Sequence, residues 1–214
     1  MKSSLRTLVL AMAGCLAGIL IWPSPQARVA AVPQTGAAAP IAAKPSGARI
    51  WYRAGHYPLL DLPGGRQEVV RSVLNVGGPM AFGSFVWDED KIAPGPLWVR
   101  IDLGSQLMSV FRGGHEIGSA VILYGTDGKP TPTGSFTILQ KDADHYSRSY
   151  DAPMPFMLRL TDDGVAIHGS NVRQGWATHG CIGVPPDFAR LLFAAARKGD
   201  LVVILPARPG ARKA

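Results

Sequence analysis

The hydrophobic and polar positions change character along the chain. Leu8 to Trp22 is an apolar stretch that opens after Lys2 and Arg6 and is broken by Pro23, Ser24 and Pro25. Residues 32–48 are Ala, Pro and Gly with few large side chains, the composition of a flexible linker. Residues 50–95 place Trp51, Tyr52, Tyr57, Phe82, Phe85 and Trp87 between Gly-Pro turns and predict a small β-type lead-in without indicating its role. From Leu97 the pattern sharpens. Leu97–Leu103 alternates as a half-buried strand does, Gly104-Ser105 reads as a two-residue turn, and Gln106–Arg112 alternates again, which predicts a β-hairpin. Ile117–Tyr124 and Ser135–Gln140 predict further strands, and Val165–His168 a short strand ending on a histidine. One helix is expected after Pro185 and Pro186. Phe188, Leu191, Leu192 and Ala195 fall on one face, Arg197 and Lys198 in its last turn, and Gly199 as its stop. Leu201–Leu205 closes the pattern as a strand.

Composition supports a folded, turn-rich chain: 47% of its 214 residues are hydrophobic and it has 25 Gly and 18 Pro. The expected organisation is a signal peptide or N-terminal anchor at 1–31, a linker at 32–48, the lead-in at 49–96, the main, mostly β domain at 97–205 and a frayed basic tail at 206–214. The apolar stretch is short for a spanning helix, which needs about 20 residues, and Val29-Ala30-Ala31 offers small residues for cleavage. Cys15 after Ala13-Gly14 resembles a lipoprotein cleavage site, but the apolar core continues through Leu16–Ile21 where a lipidated Cys would close it. Three basic residues and no acids lie in 1–31, so cleavage would take the net charge from +7 to +4. No Lys/Arg cluster suggests nucleic acid as a partner.

Only Cys15 and Cys181 are present, so a processed chain keeps one thiol and forms no internal disulfide. Cys181 lies in a dense group: His168-Gly169-Ser170, then, after eight residues, His179-Gly180-Cys181. A thiolate is the reactive form of cysteine and needs a base to generate it near neutral pH. An imidazole can take that proton and later return it to a leaving amine. Gly180 and Gly183 beside the nucleophile would let backbone N–H groups approach an oxyanion. A metal site of His168, His179 and Cys181 is an alternative, though no Asp or Glu stands nearby as a base. A buried Cys among core histidines is the plainest reading.

Thr178-His179-Gly180-Cys181-Ile182 resembles the Ser/Thr-His-Gly-Cys signature of the L,D-transpeptidase catalytic domain. His168-Gly169 is similar to that family's other histidine. Lys129-Pro130-Thr131-Pro132-Thr133-Gly134-Ser135-Phe136 resembles its Thr-Pro-x-Gly-x-Phe segment, and Asp151–Met157 a stretch of a compact branch. The resemblance covers about 97–205. It implies a mostly β, sandwich- or barrel-like domain with one long helix, and acyl transfer between peptidoglycan stem peptides. Cys181 would be the nucleophile and His168 the base, oriented by the Gly169 carbonyl. His179 would have a structural or polarising role, and Thr178, Gly180 and Ile182 would support the loop. Tyr150, Met154, Trp176 and Arg173 are candidates for the cleft lining. No cofactor or metal is implied. A monomer is expected, exported to the periplasm or cell envelope, with anchoring at the inner membrane by its N-terminus as the alternative to a cleaved signal. The alternatives are an L,D-carboxypeptidase on the same site, or a wall-binding module with a decayed site. Two departures stand out: only nine residues separate His168 from Thr178, and Gly183 occupies the position where the family usually has Arg. Arg173 or Arg190 are candidates to supply that charge.

Overall fold

The computed structural model describes residues 49–207. The expected signal, the linker and most of the basic tail lie outside them. Fourteen strands and one helix follow in order: β1 (Ile50–Trp51), β2 (Leu59–Asp61), β3 (Gln67–Val69), β4 (Ser72–Val73), β5 (Phe85–Trp87), β6 (Leu97–Asp102), β7 (Leu107–Arg112), β8 (His115–Val121), β9 (Gly134–Thr137), β10 (Gln140–Ser147), β11 (Ala152–Arg159), β12 (Ala166–Gly169), β13 (Ile182–Val184), α1 (Pro186–Ala195) and β14 (Leu201–Leu205). One sheet runs β1-β4-β8-β7-β6-β14-β9, with β5 also on β8, and a second runs β10-β11-β12-β13. The architecture is mostly β with a single helix, as the sequence indicates.

The expected hairpin forms, with a longer turn than Gly104-Ser105. Asp102 pairs with Leu107, so residues 103–106 make the connection. The Asp102 carboxylate accepts from the Gly104 and Ser105 N–H groups at 3.0 and 3.1 Å. That side-chain cap holds four residues in the loop and buries Leu103.

Alternation along β6 sends Val99 and Ile101 to the main core and Trp98 to the other face. There Trp98 stacks on Phe111, with centroids 4.4 Å apart. Leu60, Leu62 and Val70 cover this pair. The lead-in therefore acquires a physical role: β2, β3 and the residues flanking them shield the outer face of the large sheet, while Phe85 of β5 enters the main core.

The helix ends earlier than the sequence suggests. Pro185 is the N-cap, Pro186 follows it, and Asp187 lies in the first turn, as expected. However, α1 stops at Ala195, no basic residue occupies its last turn, and Ala196 is already extended. Ala196 is fully buried, so the chain leaves the helix to pack it; Arg197, Lys198 and Gly199 belong to the following turn. Phe188 and Leu192 are buried between the sheets, each stabilising the domain by about 1.5–3 kcal/mol. Phe188 meets Phe85 and Trp87 edge-on.

Candidate active site

The small sheet carries the chemistry. Its register places Ile167 opposite Ile182 and His168 opposite Gly183 in parallel strands. Side chains alternate between faces, so Ile167 and Ile182 enter the core beneath α1. His168 and Cys181, both offset from those isoleucines by one residue, are directed to the other face. The two residues the sequence proposes as base and nucleophile thus share a surface by register alone. They line one pocket of about 150 Å³ with His179, Thr178, Tyr150, Met154 and Ser147.

Around the sulfur the surface is apolar. Met154, Met157 and Ala166 pack together, with the half-buried Cys181 against them. Met154 and Met157 are three apart and would point oppositely in a regular strand. Phe156 adopts φ +57, which breaks the alternation and lets both reach the same cluster. Burial pushes the Cys181 thiol above 9.0; the Ala166 N–H opposes this and the Asp163 carboxylate adds to it. The S–H group faces the Gly164 carbonyl at 3.8 Å.

His168 Nδ1 lies 2.9 Å from the Gly169 carbonyl oxygen. A carbonyl only accepts, so Nδ1 carries the proton and Nε2 is free to act as a base. Burial holds the imidazole below 6.5, the Gly169 bond opposes that shift, and the nearby His145 reinforces it. Both partners are therefore neutral at rest. His179 is exposed and stacks on Tyr150, with centroids 4.9 Å apart and planes 17° from parallel, while Lys129 Nζ donates to the Tyr150 hydroxyl at 3.1 Å.

The loop bearing Cys181 is fixed from three sides. Thr178 Oγ1 donates to the Cys181 carbonyl at 2.5 Å, and Thr178 N donates to Tyr124 O at 3.0 Å. Buried Thr131 donates to the Gly180 carbonyl and accepts from Gly125 N, both at 2.9 Å. Gly180 itself takes φ +108, a conformation that side chains disfavour. The Thr131 segment was visible in the sequence as a motif; its use as a brace on the nucleophile loop was not. Ile182 supports the loop from within, fully buried in β13. The Gly183 N–H donates to Leu123 O at 3.0 Å, which leaves oxyanion donation to residues closer to the sulfur.

Two candidates for the lining lie elsewhere. Trp176 is exposed and lines a separate hollow with Tyr124, Gln106 and Thr126. Arg173 lies over the Trp176 ring and donates to Asn171, outside the Cys181 pocket. The loop after Ser170 carries both away. Arg190 is on α1, which packs beneath the sheet face opposite Cys181. Among the described residues, no group of three or more His, Cys, Asp or Glu side chains is placed to hold a metal ion.

A mostly β domain whose small sheet presents a cysteine and a carbonyl-anchored histidine in one pocket defines the class. A family model of the L,D-transpeptidase catalytic domain matches residues 96–204, just over half of the chain, and the chain belongs to that family. L,D-transpeptidase 1 of Mycobacterium tuberculosis, in each of two strains, is 28% identical over 48% of this chain and 48% of its own length. The chain thus spans about half the length of the curated relatives it matches. A crystal structure of an L,D-transpeptidase from Stackebrandtia nassauensis superposes with a TM-score of 0.50 at 26% identity, covering 56% of this chain and 62% of that one.

Proposed function

We propose that this protein is a peptidoglycan L,D-transpeptidase that forms 3→3 cross-links through a thioester on Cys181. The observation that carries this reading is the shared sheet face of Cys181 and His168, with His168 Nδ1 anchored on the Gly169 carbonyl. The thiol gives its proton to His168 Nε2 as sulfur attacks the carbonyl carbon at the L-centre of the third stem residue. The tetrahedral intermediate collapses, the C–N bond to the terminal D-Ala breaks, and the imidazolium returns its proton to that amine. An amine of a second stem then attacks the thioester, loses a proton to His168, and releases the sulfur, which is reprotonated. The family membership and the loop that Thr178 and Thr131 hold rigid support this sequence of steps. The reading includes export to the cell envelope, where the polymer lies; the apolar N-terminal stretch supports that part.

Intact mass after incubation with a tetrapeptide donor tests the reading. The expected adduct is an acyl tripeptide on Cys181, and with acceptor stem present the product is a cross-linked dimer. Free tripeptide alone would instead make the enzyme a carboxypeptidase, and no adduct would overturn the acyl-enzyme route.

The pH profile follows from two neutral partners. His168 must be unprotonated to accept the proton, and its pKa lies below 6.5. The rate of thioester formation should therefore rise as pH increases through that value and level off above about pH 6.5. The thiol, held above 9.0, does not ionise in advance and adds no second rise near neutrality. A profile still climbing steeply between about pH 7 and about pH 8 would show that a preformed thiolate is required.

A further inference from the structure

Cys181 also borders a second, larger hollow, which shares Ser147, Tyr150 and Met154 with the first but is lined by neither His168 nor His179. It measures about 400 Å³, and His145, Arg148, Arg159, Asp163 and Met157 are among its lining residues. Arg159 is placed there by the sheet. Gln140 pairs with Arg159 and Arg159 with Ala166, so these three form one row across three strands; Cys181, the residue before β13, continues that row because Ala166 likewise precedes the Ile167–Ile182 pair. Residues in a row point to the same face. Two strand spacings separate Arg159 from Cys181, about 10 Å between backbones. Its guanidinium is poorly partnered: Nε is buried with no hydrogen-bond partner, and the ion pair to Asp162 is 3.8 Å long with that carboxylate fully exposed. A buried guanidinium N–H without an acceptor is costly unless a ligand supplies one.

We infer that Arg159, with Arg148 at the rim, holds a carboxylate of the stem peptide in this hollow and so selects acidic substrates for the thiol. The inference rests on the transpeptidase reading and adds the recognition group. A guanidinium fork matches a carboxylate with two parallel hydrogen bonds. Asp163 is the one acid among the lining residues, and its carboxylate accepts from Thr161 Oγ1. Arg148 and Arg159 supply two positive charges to the same walls, so the hollow favours an anion. The inference also accounts for Gly183: the sheet provides from β11 the positive charge that the family usually carries after the cysteine.

The carboxylate can belong to the donor or to the acceptor, and the test separates them. Thioester formation is followed by intact mass with a donor tetrapeptide carrying free carboxylates and with its amidated form, for wild type, Arg159→Gln and Arg159→Lys. Transfer is then followed with free and amidated acceptors. For a donor carboxylate, Arg159→Gln slows acylation about ten- to a hundredfold with the free donor and little with the amidated one, and Lys restores part of the rate. For an acceptor carboxylate, acylation is unchanged and only transfer to the free acceptor falls. Iodoacetamide labelling of Cys181 and the melting temperature control for folding. Equal effects on free and amidated substrates in both steps, or no effect in either, overturn the inference while leaving the wild-type thioester intact. Absence of that wild-type thioester overturns the transpeptidase reading and this inference together.

Discussion

Replacing Cys181 by alanine should abolish both thioester formation and cross-linked product. No other thiol exists among the described residues, so no neighbouring group can form the same adduct. Loss of a nucleophile leaves only binding and oxyanion stabilisation, and the expected fall in turnover is about 10³-fold or more. The fold should survive, because Cys181 is half-buried at the edge of the Met154–Met157–Ala166 cluster and alanine suits an apolar wall. His168→Ala should keep the thiol but slow acylation by about 10²- to 10⁴-fold, since the raised thiol pKa leaves little thiolate to act alone. The two losses should not add, because base and nucleophile act in one step. Intact mass reads the adduct and chromatography of stem-peptide products reads turnover. Full activity in Cys181→Ala would remove the basis for an acyl-enzyme.

Legibility from sequence tracked how far each element is governed by local pattern. The strands β6 and β7 were plain because their alternation follows from one face lying on the core. By contrast, β10 reads Gln-Lys-Asp-Ala-Asp-His-Tyr-Ser and lies at the edge of its sheet, with no apolar stripe to reveal it. The following strand, β11, contains Pro153 and Pro155, which argue against a central strand. They are tolerated because β11 pairs with β12 only at Leu158 and Arg159, so its first half has one neighbour, β10. For the site, Cys181, His168 and His179 were legible as a cluster of chemically unusual residues close in sequence. Arg159 and His145 were not, since only the register of the small sheet brings them beside the thiol. Trp176 and Arg173 were misplaced for the converse reason: nearness in sequence does not survive the loop that follows Ser170.

Gly183→Arg, which installs the side chain the family usually carries there, should destabilise this protein rather than improve it. Gly183 is buried in β13, and its N–H and carbonyl both bond to Leu123, at 3.0 and 2.8 Å. The strand therefore cannot rotate without losing a bonded pair. A Cβ on this backbone would lie 2.9 Å from Ser170 Cβ, 3.2 Å from Ser170 Oγ and 3.4 Å from Leu123 Cβ. The first of these is closer than carbon atoms pack, so Ser170, which directly follows β12 and bonds to Val184 of β13, must move away and draw the end of β12 from β13. Overpacking of this kind costs about 2–3 kcal/mol, or roughly 5–10 °C in melting temperature for a domain of this size. Gly183→Ala introduces the same Cβ without the charge and should show much of the loss. Because His168 is the register partner of Gly183, separation also moves the base relative to Cys181, and acylation should slow along with the melting shift. Adding Ser170→Gly removes the two closest atoms and should recover most of both effects, giving a clear coupling energy in a double-mutant cycle. Wild-type melting and acylation in Gly183→Arg would show that the strands yield freely, and that the missing arginine has no packing cause.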